Sequence, residues 1–96
     1  MNHRELQIER KRLLNAYLDV LNDPSRFLDL VLRLPTGDHL SEAIEHEYRF
    51  DTAIAQAVSS LGIQYFTPEK VQRVRDELAQ LNRALGEAED RPSSRF

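Results

Sequence analysis

The chain has 96 residues and a mass of 11.2 kDa, one domain's worth. Its 41% hydrophobic and 30% charged residues are ordinary for a globular domain. Thirteen basic against sixteen acidic residues leave a formal charge of −3, which argues against a broadly basic nucleic-acid coat. The lack of cysteine removes disulfides, thiolate metal sites and cysteine nucleophiles. No apolar run approaches the ~20 residues that span a bilayer, and the start Met1-Asn2-His3-Arg4-Glu5 has no signal-peptide core. A cytoplasmic protein with no membrane partner is therefore expected.

The first predicted helix runs from about His3 to Asn22, with Asn2 and Glu5 at capping-box spacing. Its expected inward face is Leu6, Leu13, Leu14, Tyr17, Leu18 and Leu21. The second runs from Pro24 to Leu34. Pro24 follows the capping residue Asp23, where proline's missing N–H costs nothing, and Pro35 and Gly37 end the apolar run. Phe27, Leu30, Val31 and Leu34 form a stripe with Leu28 and Leu32 to its side. This helix is apolar nearly all round and is expected to be the most buried.

The third helix is expected from His39 or Ser41 to Leu61. One row of apolar positions is Ile44, Tyr48, Ala55 and Val58; another is Ala43, Phe50, Ile54, Ala57 and Leu61. The row shifts between Glu47 and Asp51, so the reading is one helix with a kink there. Two helices, the second capped by Asp51 with Phe50 as its hydrophobic staple, are the alternative. Gly62 and Gly86 are expected as left-handed residues just past helix ends, and Gln64-Tyr65-Phe66 as a short link tucking two aromatics under the junction. The last helix follows Thr67-Pro68, and Val71, Val74, Leu78, Leu81 and Leu85 make its seam. The fold expected is all-α, a compact four-helix bundle-like single domain over residues 1–86 with a disordered, flexible tail at 87–96. A core this small leaves a thin stability margin, so burial through dimerisation or a partner would help. The wide apolar coverage of Phe27–Leu34 leaves room for it.

The chemistry-bearing residues give little. His39, Glu42 and His46 share a helix face, but neither the zincin nor the Glu-x-x-His spacing is met, so no metal and no cofactor is expected. The crowded carboxylates Glu42, Glu45, Glu47 and Asp51 lack the pocket and positioning groups that catalysis needs. Glu45 and Arg49 are an ordinary i,i+4 pair. No glycine-rich phosphate loop is present. The protein is read as non-enzymatic.

Charge is more informative. Residues 38–51 hold five acids and one base, a net of −4, while residues 1–14 hold four bases and two acids, a net of +2. An acidic face would steer a basic protein partner, and aromatic side chains set among charges are favoured contact residues. The candidate partner-binding residues are Glu42, Glu45, Glu47, Tyr48 and Asp51. The alternative is a small helix-turn-helix DNA-binding regulator, in which Lys70, Arg73 and Arg75 would read groove and phosphate. Against it stand the long connection from Gly62 to Thr67 and the acids around it. A self-associating structural or adaptor protein, a homodimer joined by the Val71–Leu85 seam, is a third reading.

From Ser41 to Leu81 the chain resembles small helical immunity proteins of bacterial polymorphic toxin systems, the Maf-type immunity family among them. The residues that carry this are Ile44-Glu45-His46-Glu47, Ala53-Ile54-Ala55, Leu61, Ile63, and Phe66-Thr67-Pro68-Glu69 leading into Val71, Val74 and Leu78. The likeness covers under half the chain. It departs from the family in having no glycine near Glu47 and a slightly short stretch from Ala53 to Thr67. The resemblance implies an immunity or antitoxin protein that neutralises a cognate toxin, often a basic nuclease, by steric and electrostatic fit.

Overall fold

The computed structural model describes residues 2–86. They form five α-helices: α1 (His3–Leu21), α2 (Pro24–Leu32), α3 (Leu40–Tyr48), α4 (Thr52–Ser59) and α5 (Pro68–Gly86), with a 3-10 turn at Ile63–Phe66 between the last two. No strand occurs among the described residues, so the all-α, bundle-like reading holds. The tail expected at 87–96 lies outside the described residues.

Most helix ends follow from their capping groups. The Asn2 side chain accepts from the Glu5 N–H at 2.8 Å and the Glu5 carboxylate accepts from the Asn2 N–H at 3.2 Å, a complete capping box. Asp23 caps α2 through the Arg26 N–H at 3.3 Å, with Pro24 opening the helix. The expected third helix is two helices. Arg49 takes the left-handed conformation (φ 61°, ψ 40°) and ends α3, and the Asp51 carboxylate accepts from the Ile54 N–H at 2.9 Å to start α4. That supplies the physical reason for the shifted apolar rows. It also corrects the glycine reading: no glycine has a positive φ, and Arg49 alone does among the described residues.

Two apolar clusters form the core. Ala16, Val20, Leu30, Ile44, Ile54, Ala55 and Val58 are buried in one, where α1 meets α2, α3 and α4. Leu14, Leu21, Val74 and Leu78 are buried in the other, between α1 and α5. Tyr17, Leu61 and Phe66 touch both. The central helix α1 therefore needs two stripes, which is why Ala16 and Val20, outside the expected face, are buried. Leu6, inside that face, is 54% exposed. The 3-10 turn places Tyr65 against Tyr17 (ring centroids 6.4 Å) and Phe66 against Phe27 (6.0 Å), the tucked aromatics the sequence implied.

The largest correction concerns α2. Of its residues only Leu30 is buried. Leu28 is 56% and Leu32 72% exposed. A helix apolar all round has been given one neighbour face, towards α1 and α3, and keeps the rest in the open.

Candidate functional site

Two of the five acids of residues 38–51, Glu47 and Asp51, are held by the molecule's own arginines. Arg12, reaching from α1, donates to Asp51 at 2.6 Å and to Glu9 at 3.0 Å. Arg26, from α2, donates to the Glu47 carboxylate at 3.0 Å and to the Glu47 carbonyl at 2.8 Å, and Arg33 stands 3.8 Å from the same carboxylate. The capping bond from Ile54, reinforced by Arg12, holds the Asp51 carboxyl below the usual carboxylate range. Glu47 in turn, by its hydrogen bond, raises the Arg26 guanidinium above its ordinary value. These pairs fasten α1 and α2 to the α3–α4 junction.

Tyr48 belongs to the same knot. Its ring stacks on Phe50 (centroids 5.3 Å, planes 14° apart) and lies under the Arg26 guanidinium at 4.2 Å. Its hydroxyl is buried without a hydrogen-bond partner, and burial pushes its pKa up. Of the five candidate partner-binding residues, Glu47, Tyr48 and Asp51 are thus engaged in the fold. Glu42 remains exposed with His39 at 2.8 Å from its carboxylate, and Glu45, half-buried, makes no ion pair among the described residues. The expected Glu45–Arg49 pair does not form, because the left-handed turn at Arg49 takes that residue off the helix. Glu42, Glu45 and His46 line an open depression of about 590 Å³ on α3. No group of three or more metal-ligating side chains occurs among the described residues.

The three DNA-reading candidates all lie on α5 and have different neighbours. Lys70 lies 5.9 Å from the Tyr65 ring centroid, Arg73 stands 3.6 Å from Glu69, and Arg75 donates to the Asn22 side chain at 2.8 Å. Lys70 and Arg73 share a groove of about 220 Å³ with Arg10, Tyr17, Tyr65 and Glu77, in which Arg10 and Glu77 form a two-bond ion pair (2.8 and 3.1 Å). The α5 seam proposed for self-association is spent internally: Val74 and Leu78 pack with Leu14 and Leu21 of α1, and Leu85 is buried too.

Beside the charges stands an apolar feature, of which the sequence showed the α2 side at Phe27–Leu34 but not the part that Ile63 plays. An open hollow of about 380 Å³ is lined by Pro24, Phe27, Leu28, Val31, Leu61, Ile63 and Phe66. No charged residue lines it among the described residues. Ile63 stands at its edge 82% exposed, the most exposed large apolar side chain described. Leu32 lies one helical turn beyond Leu28, on the same side of α2. The signal was present in the all-round apolar pattern of Phe27–Leu34, which implies deep burial and also leaves room for a partner; the structure shows the exposure that the second implication needs, not the depth of the first. No helix among the described residues is long and apolar enough to cross a membrane.

No protein-family model matches the chain, and neither a curated protein nor a solved structure matches it.

Proposed function

We propose that the protein is a non-enzymatic, cytoplasmic protein-binding module, and that the hollow between α2 and the 3-10 turn is a contact surface. The observation that carries this reading is a hollow without charged lining among the described residues, with Leu28 and Ile63 in its wall, each more than half exposed, and exposed Leu32 one helical turn beyond Leu28. Apolar groups of this kind, grouped rather than scattered, mark interaction surfaces. Replacing both Leu28 and Ile63 by glutamate is expected to leave the circular dichroism spectrum intact and to abolish capture of protein from native lysate. Capture of the same proteins at unchanged yield would contradict the reading.

The finer version is an immunity or antitoxin protein that neutralises a cognate toxin. It is supported by Glu42 and Glu45, the acids of α3 for which no arginine pair occurs among the described residues. Rim charges of this type steer association. Glu42→Lys with Glu45→Lys is expected to slow binding of a basic partner at low salt, and unchanged binding would contradict this version. The DNA-binding alternative requires a gel shift that weakens steeply with salt. Engagement of Lys70, Arg73 and Arg75 by neighbouring groups makes it the weaker reading.

A further inference from the structure

The groove between α1 and the first half of α5 combines apolar surface with charge. Buried Leu14 and Val74 lie at its base. The half-buried rings of Tyr17 and Tyr65 stand over them, centroids 6.4 Å apart and planes tilted by 57°. Three cations line it, Arg10, Lys70 and Arg73, against the single acid Glu77, a local excess of +2 in a chain whose formal charge is −3. Glu77 engages only one of the three. Its two oxygens accept from Nε and Nη2 of Arg10 at 2.8 and 3.1 Å, which fixes the guanidinium plane and leaves Nη1 free to donate. Lys70 makes no ion pair among the described residues, and its ammonium stands 5.9 Å from the Tyr65 ring centroid. Arg73 stands 3.6 Å from Glu69, both side chains well exposed, a pair weak enough for an incoming anion to replace. Arg75 is bonded to Asn22 and does not line the groove, so the positive charge is gathered at a point rather than drawn out as a stripe.

We infer that this groove binds an aryl phosphate monoester, one aromatic ring carrying one phosphate group. The phosphate brings a charge of about −1.5 to −2 at pH 7, which the excess in the groove matches. Lys70, Arg73 and Nη1 of Arg10 supply charge-assisted donors to its oxygens. The ring lies against Tyr17 and Tyr65 above Leu14 and Val74, where aromatic contact adds to apolar burial. The size agrees. The groove, about 220 Å³, is smaller than the ~300–1,000 Å³ of sites for drug-sized ligands and suits one ring with its phosphate. Duplex nucleic acid presents phosphates in a row and is matched by a stripe of cations, which Arg75 fails to extend. The groove shares no lining residue with the hollow on α2, so this inference stands apart from the contact surface proposed there. A free small molecule and a phosphotyrosine side chain present the same group.

Amide proton–nitrogen correlation spectra of the full chain, titrated at low salt with phenyl phosphate, inorganic phosphate and phenol in turn, read the site. Phenyl phosphate is expected to give saturable shifts at Tyr65, Lys70 and Arg73, with inorganic phosphate and phenol each at least about tenfold weaker. Lys70→Gln and Arg73→Gln, with circular dichroism unchanged, are each expected to weaken binding about threefold to fivefold. Glu69→Gln frees Arg73 and is expected to tighten it about twofold, a gain that a damaged fold does not produce. A short phosphotyrosine peptide assigns the source. Binding tighter than that of phenyl phosphate supports the site with a protein side chain as ligand, and binding no tighter supports it with a free small molecule. No saturable shift with phenyl phosphate overturns the inference, as does inorganic phosphate bound equally well. A Lys70→Gln/Arg73→Gln variant that binds as the parent does, or a DNA duplex that displaces phenyl phosphate at equal phosphate concentration, overturns it too.

Discussion

Arg49 carries a backbone conformation that usually falls to glycine. A left-handed residue with a Cβ costs roughly 1–2 kcal/mol, and here it is accepted because it lets Asp51 begin a new helix and turns Tyr48 onto Phe50. Arg49→Gly is expected to raise stability by about 0.5–1 kcal/mol in urea unfolding, the relief of strain exceeding the added freedom of the unfolded chain. A lower midpoint would show that the Arg49 side chain holds the junction. Asp51 supplies the complementary test. Its carboxyl titrates below the ordinary value of 3.8 in the folded state, so the unfolded chain binds the proton more readily. Its contribution is therefore complete above the ordinary carboxylate range and is lost as pH falls through its depressed folded value. Glu77, lowered by its hydrogen bonds to Arg10, acts in the same direction. Urea midpoints are expected to fall between neutral pH and pH about 3, and Asp51→Asn, which keeps a capping oxygen, to flatten part of that slope. An unchanged slope in Asp51→Asn would remove Asp51 from the account. The caps at Asn2, Asp23 and Asp51 were legible in the sequence because capping is local chemistry. The left-handed residue was not, because nothing local marks an arginine for it. The ion pairs of Arg12 and Arg26 join residues distant in sequence, which spacing cannot reveal.

Helix by helix, periodicity identified elements well and burial less well. The α5 seam packs as its spacing implies, since one stripe meets one neighbour. For α1 a single face was inferred, whereas it lies between two clusters and buries Ala16 and Val20 as well. For α2 the pattern was read as enclosure, but its neighbours α1 and α3 cover one side, and Leu28 and Leu32 on the other side stay exposed. The contrast is measurable. Ile44 is fully buried at the centre of α3, and Ile44→Ala is expected to cost about 2–5 kcal/mol. Leu32→Glu, at a position 72% exposed, is expected to lie within about 0.5 kcal/mol of the parent in dilute solution. A cost for Leu32→Glu comparable with that of Ile44→Ala would mean that α2 is enclosed after all.

For the molecule as a whole, part of the charge that dominates the sequence proves to be structural. The basic start and the acidic middle meet through Arg12 and Asp51, and Arg26 and Arg33 of α2 are drawn to Glu47. What this leaves for other molecules is a reduced acidic surface at Glu42 and Glu45 and an uncharged hollow at Leu28 and Ile63. Fold class was legible because helical periodicity and capping repeat along the chain. The surface was not, because which apolar residues stay outside depends on how many neighbours each helix finds. The hollow at Leu28 and Ile63 is the surface on which the proposed function stands. Fluorescence of the dye ANS, which binds exposed apolar surface, tests it most directly on the parent chain and on Leu28→Glu/Ile63→Glu. The expected result is dye binding by the folded parent that the double variant loses while its circular dichroism is unchanged. No dye binding by the parent, or binding that the double variant keeps in full, would contradict it.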